Sequence, residues 1–331
     1  MPGALPDFMV HLGHEVYAID TGFHRPRFDA AYLMVQDGHA AFVDTGTNYS
    51  VPRLLEALDV LGIQREAVDY VIPTHVHLDH AGGVGLLMQA LPRAQALVHE
   101  RGARHMIDPT ALYMGATAVY GPQEMERSYG KLIPVASDRV QATHDEMSLD
   151  WRGRALRFID TPGHARHHHC IWDARSQGWF TGDTFGLSYR EFDTGQGAWI
   201  MPTTTPVQFE PEPLKHSIER LMKAQPERMY LTHYCSVDQP AVHAKRLLRL
   251  IDEMVSIGLE HAALENKQRH QHYKTALHQM LLADVRLHGC TASALSDQQV
   301  HELLELDVEL NAQGLGIWVD KQRKAAAAQG L

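Results

Sequence analysis

The chain has 331 residues, more than one hydrophobic core comfortably supports, so one large domain with an appendage, or two domains, is expected. Hydrophobic content of 44% with 21% charged residues is that of a globular chain, and a formal net charge of −10 without a long Lys/Arg run argues against nucleic acid as a partner. No stretch stays apolar for the roughly 18 residues of a spanning helix, and residues 1–8 lack a basic then apolar leader pattern, so no membrane association and a cytoplasmic setting are expected.

The first elements alternate. Glu15–Asp20, Ala31–Val35 and Ala40–Asp44 are short runs rich in β-formers, separated by Gly, Pro and the Asp37-Gly38 turn, and they imply a small antiparallel sheet. The third run ends in Asp44-Thr45-Gly46, a carboxylate at a strand end that serves either to support a site or to cap the turn. Leu54, Leu55, Leu58 and Leu61 then recur at helical spacing, and Gly62 stops that run. A strand from Val68 to Pro73 delivers Thr74-His75-Val76-His77-Leu78-Asp79-His80-Ala81-Gly82-Gly83.

Three imidazoles and a carboxylate within six positions make that turn a metal-binding candidate. Zinc, iron and manganese all accept these donors, and one ion can take His75 and His77 while Asp79 and His80 point toward a second. A helix from Val84 to Leu91 and a strand from Ala94 to His99 continue the alternation of an α/β layer. Residues 100–150 suggest short helices and loops, with Tyr113, Met114, Tyr120, Met125 and Tyr129 as core filling or as the wall of a cleft.

Donor side chains end the later strands too. Ala155–Asp160 runs into Thr161-Pro162-Gly163-His164, His167–Trp172 reads as a strand, Gly178–Gly182 ends in Asp183, and Arg228–Thr232 ends in His233. Donors at successive strand ends can converge on one edge of a sheet. From Gln239 the pattern turns helical, with Asp238 as the expected cap, a first helix to Leu259, and amphipathic stretches over 276–287 and 300–310. Gly314-Leu315-Gly316 is expected to cap the last helix ahead of a docked Trp318, with 321–328 as a solvated tail. Cys170, Cys235 and Cys290 are odd in number and far apart, the pattern of reduced thiols.

Taken in order, His75-Val76-His77-Leu78-Asp79-His80, Thr161-Pro162-Gly163-His164, Thr181-Gly182-Asp183 and Thr232-His233 resemble the metallo-β-lactamase superfamily, in its glyoxalase II-like branch of metallohydrolases. The resemblance covers roughly residues 15–236 and implies an α/β fold, an αββα sandwich with a binuclear site at its edge. It implies a catalytic domain over 1–238 and a helical extension over 239–331 that packs on or over the active-site face. By the same resemblance His75, His77 and His164 hold one metal, Asp79, His80 and His233 hold the other, and Asp183 bridges them. Asp44 matches the supporting aspartate of the family's strand-end Asp-Thr-Gly. His168 stands where the family often has a further histidine, giving it a supporting hydrogen bond or a place in strand packing.

Two divalent cations, zinc first with iron or manganese as alternatives, lower the pKa of a shared water from 15.7 toward about 7. The hydroxide so formed would attack the carbonyl of a small-molecule ester, thioester or lactone. Asp79 can orient it and help protonate the leaving group, so Asp79 and Asp183 are the expected catalytic carboxylates. Tyr189 and Tyr234 are weaker candidates for substrate contact, while His11, His14, His24, His99 and His105 lack a companion pattern. A restriction to glutathione thioesters has little support, because no basic signature for it is clear near the C-terminus. The competing readings are an iron-dependent sulfur or oxygen oxidoreductase on the same fold, and a non-catalytic metabolite sensor whose helices bind a protein. The helical extension is expected to supply pocket wall or a homodimer contact.

Overall fold

A computed structural model describes residues 4–328. The chain divides into two compact units, one comprising residues up to Asp160, His167–Gly182 and Pro226–Asp238, the other Thr161–Arg166, Asp183–Gln225 and the chain from Gln239 onward.

The first unit carries both sheets. One has seven strands in spatial order β1 (Met9–His11), β2 (Val16–Asp20), β3 (Ala30–Gln36), β4 (His39–Val43), β5 (Val68–Ile72), β6 (Gln95–His99) and β7 (Val140–Thr143). Strands β1 to β4 pair antiparallel and β4 to β7 pair parallel. The β3–β4 hairpin closes on Asp37 and Gly38 at φ 50° and 75°, the doubly left-handed turn that matches strand twist. The other sheet has β8 (Ser148–Trp151), β9 (Arg154–Asp160), β10 (His169–Asp173), β11 (Gly178–Gly182), β12 (Arg228–Leu231) and β13 (Cys235–Asp238), neighbouring in that order.

Period-two alternation divides the seven-stranded sheet between two cores. Ala30, Tyr32 and Met34 of β3, Ala41 and Val43 of β4, Ile72 and Leu97 pack with Leu156, Phe158, Ile171, Phe180 and Tyr230 of the other sheet. Their neighbours Ala31, Leu33, Ala40, Phe42, Val71 and Val98 pack instead with Leu54, Leu58, Leu87, Met88 and Met106. These last residues belong to α1 (Val51–Leu61), α3 (Val84–Ala90) and α4 (Glu100–Ile107); the short α2 (Leu78–Ala81) carries the acid and the third histidine of the histidine turn. Then come α5 (Thr110–Tyr120), the single turn α6 (Pro122–Glu124) and a wide turn over Met125–Tyr129. Two sheets flanked by helices, followed by a helical extension, are the architecture the sequence motifs implied.

The second unit contains α7 (Pro211–Met222), α8 (Pro240–Glu260), α9 (Asn266–Leu287) and α10 (Asp297–Ala328). The last helix corrects an expectation: it runs straight through Gly314 and Gly316 and on to Ala328, so neither glycine is a cap and 321–328 is exposed helix. A Cβ on Gly314 would lie 2.4 Å from Thr204 Oγ1 and 2.7 Å from the Thr205 carbonyl oxygen, so this glycine is a packing residue. The expected Asp238 cap is also displaced, because Gln239 takes the cap position of α8, at φ 56° and with no side-chain cap bond. Buried polar groups bind the 184–205 segment to the helices. Tyr189 Oη donates to Asp307 Oδ2 (2.9 Å), Trp199 Nε1 to Asp284 Oδ2 (2.7 Å) and the Thr204 amide to Asn311 Oδ1 (2.8 Å). No helix among the described residues is long and apolar enough to cross a membrane.

Candidate metal centre

Asp44 follows β4 in the left-handed region, φ 56°, which aspartate tolerates better than most residues, and it is fully buried. Its Oδ1 accepts from the Thr74 amide (2.7 Å), and both carboxylate oxygens lie 3.0 Å from Thr74 Oγ1. Its Oδ2 accepts from His80 Nδ1 (2.9 Å) and from Thr232 Oγ1 (2.7 Å). One carboxylate thereby ties together the residues that follow β4, β5 and β12. That is also how it orients the His80 ring.

The other imidazoles are held in the same manner. His233 Nδ1 faces the Phe28 carbonyl oxygen at 3.2 Å, and His164 Nδ1 faces the Thr203 carbonyl oxygen at 3.2 Å. A ring that donates from Nδ1 keeps the Nε2 lone pair for a metal, so His80, His164 and His233 carry the outer partners that ligand histidines need. His75 has Nδ1 3.2 Å from Thr74 Oγ1, and its Nε2 converges with His77 Nδ1 at 2.7 Å. Asp183 Oδ2 lies 3.2 Å from His164 Nε2, and Asp79 Oδ2 lies 3.4 Å from His233 Nε2 and 3.8 Å from His80 Nε2.

Two donor groups result. His75, His77, His164 and Asp183 each offer a ligand atom within 4.8 Å of the others, and Asp79, His80 and His233 meet the same limit. Five imidazoles and two carboxylates suit zinc, iron or manganese, and the outer hydrogen bonds fix the tautomers such ions require. The seven residues singled out in the sequence supply both groups. His77 and Asp79 are part-exposed and the other five are buried, the setting of a site that must admit a ligand.

Both glycines of the later motifs occupy places no side chain fits. Gly163, at φ 130°, would put a Cβ 2.3 Å from the Leu214 backbone. Gly182, at φ 47°, would put one 2.5 Å from Thr74 Oγ1 and 2.6 Å from His168 Nε2.

The histidine triplet separates by role. β10 begins only at His169, so His167 and His168 precede the strand. The His168 ring stacks on His75 with centroids 4.7 Å apart, and His167 meets the His77 ring edge-on at 5.4 Å. His169 is buried with Nδ1 2.7 Å from Thr143 Oγ1 and Nε2 2.9 Å from the Pro73 carbonyl oxygen, and burial lowers its pKa to about 3. Tyr189 is fully buried on Asp307, and Tyr234 belongs to the inter-sheet core. His99, set aside in the sequence, binds Asp160 Oδ1 at 2.7 Å. Phe28 and Thr203 escaped sequence reasoning because they act through backbone carbonyls, which leave no side-chain signature, while Thr74 and Thr232 stood inside the motifs without a role assigned to them.

A family model described as the metallo-beta-lactamase superfamily matches residues 24–233. The metallo-beta-lactamase fold-containing protein ST1585 of Sulfurisphaera tokodaii is 25% identical over 246 residues, covering 71% of this chain and 84% of its own. Its crystal structure, titled as from Sulfolobus tokodaii, superposes with a TM-score of 0.59 and 26% identity over 71% of this chain and 86% of that one. A metallo-beta-lactamase family protein of Thermus thermophilus, TTHA1429, covers 89% of this chain and 95% of its own at a TM-score of 0.62 and 19% identity, a likeness of fold. A hydroxyacylglutathione hydrolase of Aeromonas hydrophila is 28% identical over 145 residues, 43% of this chain and 42% of that protein. With the family match spanning most of the chain, and with two sheets whose strand ends carry the superfamily's donors in order, this protein belongs to the metallo-beta-lactamase superfamily.

Proposed function

We propose that the protein is a dinuclear metal-dependent hydrolase of a small ester, thioester or lactone. The observation that carries this reading is the double donor group, with His80, His164 and His233 each held at Nδ1 so that Nε2 is left for a metal. The likeness to a hydroxyacylglutathione hydrolase over 43% of the chain supports the same class without extending to its thiol. Two bound divalent cations, zinc by preference and iron or manganese by the same donor chemistry, supply the Lewis acidity that brings a water's pKa from 15.7 toward about 7.

The protein's part is positional. Asp183 would hold the ion of the His75, His77 and His164 group, and the superfamily resemblance gives it the further role of bridging carboxylate. Asp79, whose side chain is 24% exposed and lies against His233 and His80, orients the attacking water and returns a proton to the leaving group. Asp44 fixes His80 from beneath, and His168, stacked on His75, limits that ring's rotation. Neither Cys170 nor Cys235 is needed as a nucleophile, since both thiols are buried.

The test is turnover of a panel of esters, thioesters and lactones by metal-loaded protein and by His77→Ala. Activity on at least one class, reduced by about 100-fold or more in the variant, supports the reading. Unchanged turnover in the variant contradicts it.

A further inference from the structure

A cavity of about 460 Å³ opens in the first unit, linked to the His233 donor through the rings of His24 and Phe28. Its wall includes Gly22, His24, Tyr49, Arg53, Arg127 and Ser128, and among the described residues no carboxylate lines it. His24 packs edge-on to Phe28 with centroids 5.6 Å apart, and Phe28 meets the His233 ring at 5.4 Å. His24 also feels the charges of Asp79 and His233, although burial is the main cause of its lowered pKa. The volume lies within the range of small-ligand sites.

Two guanidinium groups are held at this wall. Arg53 Nη1 donates to the Asp20 carbonyl oxygen (2.8 Å), lies 3.7 Å from Asp20 Oδ1, and has its guanidinium carbon 5.7 Å from the centre of the Phe8 ring. Gly22, at φ 74°, makes room for it, since a Cβ there would sit 2.8 Å from Arg53 Nη1. Arg127 Nη2 pairs with Glu124, while Tyr49 Oη donates to the Glu126 carbonyl oxygen (2.6 Å) and ties the Arg127 turn to the loop ahead of α1. These bonds use only part of each five-donor fork, and the side chains are 40% and 74% exposed. A fork anchored at one nitrogen and open at the rest is suited to bidentate capture of an oxyanion. In a chain of net charge −10, this cavity is lined, among the described residues, by two arginines and no carboxylate, with Asp20 and Glu124 standing behind the arginines.

We propose that this cavity is an oxyanion subsite in which Arg53 and Arg127 grip a carboxylate or phosphate carried by the substrate, so that the preferred substrates are anionic. The inference rests on the hydrolase reading and narrows its substrate class. The experiment uses the full metal-loaded chain and matched ester or thioester pairs, one member ending in a carboxylate and the other in its neutral primary amide. A parallel pair ends in a phosphate or a neutral isostere, and the larger preference identifies the source.

Wild type is expected to favour the anionic member by about 10- to 100-fold in kcat/KM, mostly through KM. Arg53→Gln should reduce that ratio by about tenfold or more, Arg53→Lys by less, and Arg127→Gln, at the more exposed position, should reduce it with little risk to folding. Equal kcat/KM for the two members, or a ratio that none of the three variants alters, overturns the subsite and leaves the hydrolase reading standing. If neither member is hydrolysed, titration with inorganic phosphate decides the subsite, and the hydrolase reading fails only if the rest of the ester, thioester and lactone panel is not turned over either. A saturable site weakened about tenfold by Arg53→Gln supports it; no binding, or equal binding in wild type and variant, overturns it.

Discussion

His80 and His164 are given the same task, an imidazole held at Nδ1 so that Nε2 faces its donor group, and the two units of the chain accomplish it differently. His80 rests on the buried carboxylate of Asp44, which also accepts from Thr74 and Thr232. His164 rests on a backbone carbonyl, that of Thr203, whose neighbour Thr204 is anchored by Asn311 of α10. The first brace is a single side chain bonded to three partners. The second is a relay, in which a helix about 150 residues downstream sets the position of a main-chain oxygen. The contrast teaches that a ligand's outer partner can be a local motif or a remote consequence of packing, and that the two fail by different amounts.

The largest effect is expected where one group serves many partners. Asp44→Ala strips the acceptor from His80 Nδ1, Thr74 and Thr232 together. Metal affinity of the Asp79, His80 and His233 group should fall by about 10- to 100-fold. Buried donors left unpaired should cost about 1–3 kcal/mol each in unfolding free energy. Chelator competition and denaturant titration read the two losses, and wild-type affinity in the variant would remove Asp44 from the site. Asn311→Ala should weaken metal binding less, by about tenfold, and only for the group containing His164, with Asn311→Asp restoring it because the acceptor oxygen is kept. A loss of thermal stability without any change in metal affinity would show that Asn311 merely holds the fold.

Gly314→Ala probes the relay from its other side. Its new methyl group would meet Thr204 Oγ1 at 2.4 Å, and overpacking of this kind costs about 1–3 kcal/mol. An unchanged melting temperature would mean that the Thr204 segment yields freely. The smallest effect concerns His169, which is braced by Thr143 and Pro73 outside either donor group. Its pKa, lowered to about 3 from 6.5, means the unfolded chain takes up a proton that the folded chain refuses. The stability it confers is full above pH 6.5 and is lost as pH falls from there toward 3. His169→Gln should flatten the stability curve in that window by up to about 1.4 kcal/mol per pH unit, and identical slopes would contradict the assignment.

The same contrast explains what could be read from the residues alone. Asp44 and the histidine turn are legible because donor, spacing and strand end lie in one short stretch. Phe28, Thr203 and Asn311 are not, because a carbonyl has no residue identity and the α10 contact depends on tertiary packing. Strands β7, β8 and β13 went unseen for a related reason. Each has only four residues, and Ser148, Asp150, Ser236 and Asp238 dilute the apolar pattern that marks a strand. In α10 the propensity cost of two glycines, about 1 kcal/mol each, is overridden by close packing. Gly314 admits Thr204, and Leu315 reaches within 2.6 Å of the place a Cβ would take on Gly258 of α8.

The most direct test of the dinuclear hydrolase is metal analysis of the purified protein coupled to turnover. Two divalent ions per chain, with ester, thioester or lactone hydrolysis lost on chelation and regained as the second equivalent returns, is the predicted result. One ion or fewer per chain at full activity would contradict it.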